Sequence, residues 1–176
     1  ATDEAKRLYH YLCDNYGKHV LSGQQEYCGS HNYNMNALTS QGIEVSYEDY
    51  LVDNEAEFTY IQETTGKQPA IRGIDFLFYN TTKSYADDAP ERVIAWYKAK
   101  GGIPTVTYHW NVPTDGKDSE DVAFYVEHTG NTPFTTFSIT NAVTEGTWEH
   151  EKIDADIALL AELFGKNQDE GVPVIF

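Results

Sequence analysis

Methionine occurs once and cysteine twice in these 176 residues, and basic residues are scarce: 12 Lys and Arg stand against 28 Asp and Glu, a formal net charge of −16. Two cysteines, Cys13 and Cys28, make neither a disulfide framework nor a zinc site. The acidic excess is spread along the chain and reads as a solvated surface. It argues against nucleic acid as a partner, because phosphates need the opposite sign. No apolar run approaches the roughly 20 residues that cross a bilayer, so no membrane association is expected. No leader peptide is read at Ala1; a mature form with its leader removed would read the same way. GxGxxG, P-loop, HExxH, paired CxxC and GxSxG motifs are all missing, which argues against nucleotide, zinc-protease and serine-hydrolase chemistry. The run from Thr114 to Asp121 spaces carboxylates loosely like a calcium loop, but it lacks the glycine and terminal Glu of the regular pattern and reads as a solvated loop. No metal or cofactor is expected.

What is abundant is aromatic: 13 Tyr, 8 Phe and 3 Trp make 14% of the chain. Many lie in segments without helical periodicity. Pyranose rings present apolar C–H faces that stack on aromatic rings, so aromatic-rich loops fit a sugar-binding cleft, and the same rings equally fit a packed core. With 40% apolar residues and a mean hydropathy of −0.53, the chain is long enough for one domain with a real core. No linker or low-complexity segment interrupts it.

A helix-like stretch, a glycine and a β-rich run recur along the chain. The joints are Gly17 to Leu21, Gly66 to Ile71, Gly102 to Val106 and Gly171 to Phe176. Each glycine suits a helix C-cap, where a left-handed residue is needed, and three of the joints carry proline (Pro69, Pro104, Pro173) at a strand start that tolerates a missing N–H. Helices alternating with strands imply parallel pairing through crossovers, and four such units are half of an eightfold barrel. The predicted helices run from about Asp3 to Tyr16 with Thr2 as N-cap, about Asn54 to Thr65, from near Asp88 with Pro90 in the first turn, and about Thr147 to Asn167. The last of these spaces Ile153, Ile157, Leu160 and Phe164 as an apolar stripe. The predicted strands are His19 to Gln24, Pro69 to Phe76 and Ile103 to His109, with the fourth beginning at Pro173. Long connections, from Gln25 to about Asp53 and for about 40 residues after His109, are of the kind that builds barrel active sites. On this layout Cys13 and Cys28 lie at opposite ends of strand one. Five strand residues at about 3.3 Å each exceed the roughly 7 Å Cα limit of a disulfide, so both are expected as free thiols.

In parallel barrels the reacting groups come from the C-terminal ends of strands and the loops beyond them. That rule selects Ser22, Gln24, Gln25 and Glu26, then Asp75 and Phe76, then His109, Trp110 and Asn111. Alternation along strand three sets Thr105, Thr107 and His109 on one face and Val106 and Tyr108 on the other, so His109 is expected to point toward the barrel axis at its open end. There a neutral imidazole can bind a hydroxyl. Asp75 is placed to bind a hydroxyl, orient a neighbour or pair with Arg72, although three residues of strand put Arg72 and Asp75 on opposite faces.

The stretches Lys18 to Gln24, Thr65 to Phe76 and Gly101 to Asn111, with the Gly146–Thr147 step and the closing Asp169 to Phe176, resemble the amino-terminal half of a glycoside hydrolase family 26 catalytic domain, most of all its β-mannanases. The resemblance covers nearly the whole chain, residues 1–176, as one piece. It implies the first four strands of a (β/α)₈ TIM barrel whose secreted members cleave β-1,4-mannan backbones with retention. Retention requires two carboxylates roughly 5–5.5 Å apart. In the family the acid/base Glu lies in an Arg-Pro-x-His-Glu motif after strand four and the nucleophile Glu at the end of strand seven, so both are expected beyond Phe176 and no catalytic residue is assigned within the chain. The resemblance carries substrate-contacting roles onto His109 and Trp110 and, less directly, onto Asp75. The implied partners are a β-mannan polysaccharide and the remainder of the same barrel. A non-catalytic glycan-binding fragment, a family relative acting on β-1,3-xylan or mixed-linkage β-glucan, and a barrel of unrelated chemistry remain alternatives.

Overall fold

A computed structural model describes residues 1–26, 42, 46, 51, 56–82, 87–127 and 133–176. These fall into two compact units. The first comprises Ala1–Asp75, Asp87–Thr107 and Phe164–Phe176, and the second Phe76–Ala86 and Tyr108–Leu163. Cys28 and most of the first long connection lie outside the described residues.

The first unit is built on a parallel sheet. Helix α1 (Asp3–Asn15) starts where the Thr2 side chain accepts the Ala5 N–H at 3.2 Å, as its N-cap spacing predicts. Strand β1 (Gly23–Gln25), helix α2 (Ala56–Thr65), strand β2 (Ile71–Asp75), helix α3 (Ala89–Lys100) and strand β3 (Ile103–Thr107) follow in the expected alternation. The sheet order is β1-β2-β3, with Gly23 opposite Ile71 and Ile71 opposite Ile103 in parallel register. The fourth expected strand is present as a single parallel bridge, Thr105 to Ile175, where the Val106 N–H donates to the Ile175 carbonyl at 2.8 Å.

Several boundaries differ from expectation: β2 is Ile71–Asp75 and not Pro69 to Phe76, and β3 ends at Thr107, so His109 follows the strand and does not close it. Strand one begins at Gly23 and not at His19, and Val20 is 98% exposed. Its pairing is governed by the start of β2, where the N–H groups of Ala70, just before the strand, and Ile71 both donate to the Ser22 carbonyl at 2.9 and 3.0 Å. The left-handed residue that ends α3 is Gly101, with φ 64° and its N–H on the Tyr97 carbonyl, and not Gly102. Gly102 is needed for a different reason: a Cβ there would run into the indole of Trp96, 2.7 Å from its Cε2. Phe58, Ile74, Val93, Trp96 and Val106 form the apolar interior of this unit.

The second unit holds more structure than a loop. Strands β4 (Val112–Pro113) and β5 (Val122–Ala123) pair antiparallel, so the Thr114 to Asp121 run is a hairpin tip closed by the Thr114 N–H on the Asp121 carbonyl at 3.0 Å. A short helix α4 (Ile139–Ala142) is capped by Ser138. Val112, Phe137 and Ala142 are buried together, with Trp110, Trp148 and Ile153 packed against them.

Helix α5 (Trp148–Asp169) reaches Leu163 in this unit and ends in the first. Its buried face is rotated from the expected apolar stripe. Ile157 is 56% exposed, whereas Glu149, Lys152, Asp156, Leu163 and Asn167 are buried. Polar residues win the inward positions because each finds a partner there; a buried ion or amide without one would cost several kcal/mol. Among the described residues no helix is long and apolar enough to cross a membrane.

Candidate functional site

The longer segment of the second unit, Tyr108–Leu163, follows β3 in the chain, and two of the three expected substrate-contacting residues lie at its start. They are held in different ways. His109 is exposed, its ring edge-to-face with Phe124 at 5.1 Å between centroids, and Phe124 is in turn edge-to-face with Tyr125 at 5.4 Å. Phe124 and Tyr125 are 46% and 52% exposed, so the three rings offer continuous aromatic surface to solvent. Aromatic pairs prefer this perpendicular geometry because the positive ring edge meets the negative face.

Trp110 is half-buried. Its ring stands edge-to-face on Phe137 at 5.0 Å, and Phe137 stands likewise on Trp148 at 5.4 Å. Trp110 therefore does not stand clear of packed residues as a barrel-mouth position suggests; one side of it belongs to the unit's interior. Its indole N–H donates to Asp156 Oδ2 at 2.6 Å. The other carboxylate oxygen of Asp156 accepts from the Thr81 N–H at 2.8 Å, the Thr81 hydroxyl at 2.7 Å and the Lys152 ammonium at 3.1 Å. Lys152 also donates to Thr81 Oγ1 at 2.8 Å, closing the ring. Tyr108 donates its hydroxyl to the Tyr79 carbonyl at 2.8 Å.

This network perturbs its members. Burial pushes the Lys152 ammonium below its usual pKa, and the Asp156 charge and hydrogen bond pull it part of the way back. Burial also pushes the Tyr108 phenol well above its usual value, with the Asp156 charge adding to the shift. Lys152 lines an open cleft of about 380 Å³ together with Thr81, Lys117, Glu120, Trp148 and Glu151.

Asp75 belongs to the first unit. It is the last residue of β2, pairs in register with Thr107 and is 6% exposed. Of the candidates after strand one, Gln24 and Gln25 lie within β1 itself, and Glu26 is an internal ion-pair partner. Arg72 reaches its carboxylate at 2.7 Å and Arg92 at 2.8 Å, while Arg92 also meets Asp87 at 3.3 Å. The Arg72 guanidinium sits over Phe58 and Trp96 at 5.1 and 5.4 Å from their ring centroids. All four charged residues are at most 2% exposed.

Sequence reasoning passed over Thr81, Lys152 and Asp156, and over Asp87 and Arg92. A signal for part of the set existed: Lys152 and Asp156 stand four apart on α5, a spacing at which opposite charges meet. The count of apolar residues on the neighbouring stripe outweighed it.

The model of the family described as Glycosyl hydrolase family 26 matches residues 1–176. Mannan endo-1,4-beta-mannosidase B of Piromyces sp is 38% identical over 181 residues, covering all of this chain and 27% of that protein. Mannan endo-1,4-beta-mannosidase A of the same source is 36% identical over all of this chain and 25% of its own length. A solved ruminal GH26 endo-beta-1,4-mannanase superposes with a TM-score of 0.78 at 37% identity, over 100% of this chain and 33% of that one. The chain thus spans about a quarter to a third of the length of these three relatives.

Proposed function

The chain belongs to glycosyl hydrolase family 26 and is part of a (β/α)₈ barrel, and from that membership we propose that residues 1–176 are the amino-terminal half of the catalytic domain of a secreted, retaining endo-β-1,4-mannanase. The observation that carries the reading is the aromatic group after β3, where exposed His109 is braced by Phe124 and Tyr125 beside the anchored Trp110. A mannan chain has alternating polar and apolar faces. It needs rings to stack on and a fixed group to bind hydroxyls, and His109 with its neighbours supplies both.

On this reading His109, Trp110 and Asp75 contact the glycan, and the acid/base and nucleophile Glu residues lie beyond Phe176. The sequence contains no Arg-Pro-x-His-Glu motif, and the relatives are three to four times longer than the matched region, which leaves ample room for both. No cofactor is required, since retaining hydrolysis proceeds through two carboxylates alone. The net charge of −16 does not oppose a neutral polysaccharide.

The test is His109→Ala in the complete catalytic domain, assayed on soluble β-mannan, β-1,3-xylan and mixed-linkage β-glucan. Wild-type turnover of mannan well above the other two, with kcat/KM reduced roughly 10- to 100-fold by the substitution, is expected for loss of one good substrate hydrogen bond. Preference for another glycan would move the assignment to that substrate, and unchanged kinetics would remove His109 from the site.

A further inference from the structure

We infer that Asp156 is a positioning residue for glycan binding, pinning the Trp110 indole in the orientation in which it meets the sugar. The inference rests on the reading that Trp110 contacts the glycan. Asp156 lies on α5, is 2% exposed, and ties together three stretches of chain: its own helix, the residues after β2 through Thr81, and the residues after β3 through Trp110.

The division of labour between its two oxygens carries the argument. Three donors, the Thr81 N–H, the Thr81 hydroxyl and the Lys152 ammonium, converge on Oδ1. They set the plane of the carboxylate and leave Oδ2 aimed in one direction, where the indole N–H meets it at 2.6 Å. Charge-assisted hydrogen bonds of this kind are short and directional. A tryptophan side chain turns about two torsions. With its N–H held by Asp156 and its ring edge against Phe137, neither remains free, while the half-exposed remainder of the ring stays available. A platform ordered before binding spares the complex the cost of ordering it, which for one side chain corresponds to roughly a 2- to 10-fold difference in affinity.

Asparagine at this position separates the two functions of the carboxylate. Its single carbonyl oxygen will turn toward the three donors, which places the amide NH₂ against the indole N–H, donor against donor. The experiment uses the complete catalytic domain and soluble β-mannan, with Trp110→Phe, Asp156→Asn and the double variant, alongside the indole N–H signals in a ¹⁵N-correlated spectrum, where Trp110→Phe identifies its own resonance. Expected are a Trp110 signal displaced in Asp156→Asn, a KM raised about 2- to 10-fold with kcat nearly unchanged, and a double variant no weaker than Trp110→Phe alone. If Trp110→Phe weakens binding but Asp156→Asn leaves both KM and the indole signal in place, the positioning role is refuted and the glycan reading survives. If Trp110→Phe leaves KM unchanged, the glycan reading of Trp110 fails and takes this inference with it. Should Asp156→Asn not fold, Thr81→Ala, which removes one donor from Oδ1 at an exposed residue, replaces it: a displaced indole signal with raised KM supports the inference, and an unmoved pair overturns it.

Discussion

Replacing Glu26 by Gln would leave two buried guanidiniums, Arg72 and Arg92, facing a neutral amide where their shared carboxylate stood. Such a change removes the partner without removing the charges, and breaking a buried pair in this way costs about 3–5 kcal/mol. Urea denaturation of the variant domain should show a loss of that size; a loss below about 1 kcal/mol is what an exposed pair would give and would mean that water reaches the cluster. Tyr108 makes a second prediction, through pH. Its phenol keeps its proton to well above the ordinary value of 10.0, because burial and the Asp156 charge both oppose ionisation. Above pH 10 the unfolded chain therefore releases a proton that the folded chain holds, so the folded state binds more protons and stability falls as pH rises. Lys152, shifted down, acts in the opposite sense, with stability rising between its lowered pKa and 10.5. Since that contribution is present in both proteins, comparing wild type with Tyr108→Phe isolates the phenol. The wild type should lose stability more steeply above pH 10, and parallel curves would show that Tyr108 is solvated.

Among the elements, the junction of α3 and β3 is the most constrained by its glycines. Gly101 supplies the left-handed turn, and Gly102 makes room for Trp96, which lies edge-to-face with Phe58 at 5.1 Å. Gly102→Ala should destabilise by about 1–3 kcal/mol, the usual cost of forcing extra volume into a packed interior. A thermal melt within error of wild type would show that the indole moves aside freely. Local patterns disclosed this junction one residue out of place, since a Gly-Gly pair announces a helix end without saying which member turns. The same contrast runs through the rest of the chain. The order of helices and strands, the Thr2 cap and the start of α3 before Pro90 follow from spacing and turn chemistry. What could not be read is decided by distant partners. Glu26 faces outward or inward depending on Arg72 and Arg92, which lie 46 and 66 positions away. On α5, Lys152 and Asp156 look like a surface pair, and only Thr81 and Trp110, brought in from other elements, make the polar face the buried one. The candidate site divides likewise: His109 and Trp110 are proposed from their place after a strand, whereas the carboxylate that holds Trp110 shows only in the fold.

For the molecule as a whole, the question is whether this chain can hydrolyse a glycosidic bond unaided. Retaining hydrolysis needs one carboxyl to protonate the leaving oxygen and a second to attack the anomeric carbon, roughly 5–5.5 Å apart and both free to reach the sugar. In the first unit Glu26 is a poor candidate for either task, because each of its oxygens is engaged by a guanidinium at under 3 Å and it is 2% exposed. In the second, Asp156 is saturated by four donors and Glu149 is buried and accepts from Asn141 at 2.8 Å. Carboxylates that already serve the fold cannot also turn over substrate without dismantling it. The 176-residue chain, purified alone, is therefore expected to release no reducing sugar from soluble β-mannan above the rate of a boiled control, and on the proposed function the complete domain carrying the same residues is expected to release it. Measurable hydrolysis by the isolated chain, abolished by replacing one of its own carboxylates, would relocate the catalytic pair into residues 1–176 and would require a different mechanism for the site around Trp110.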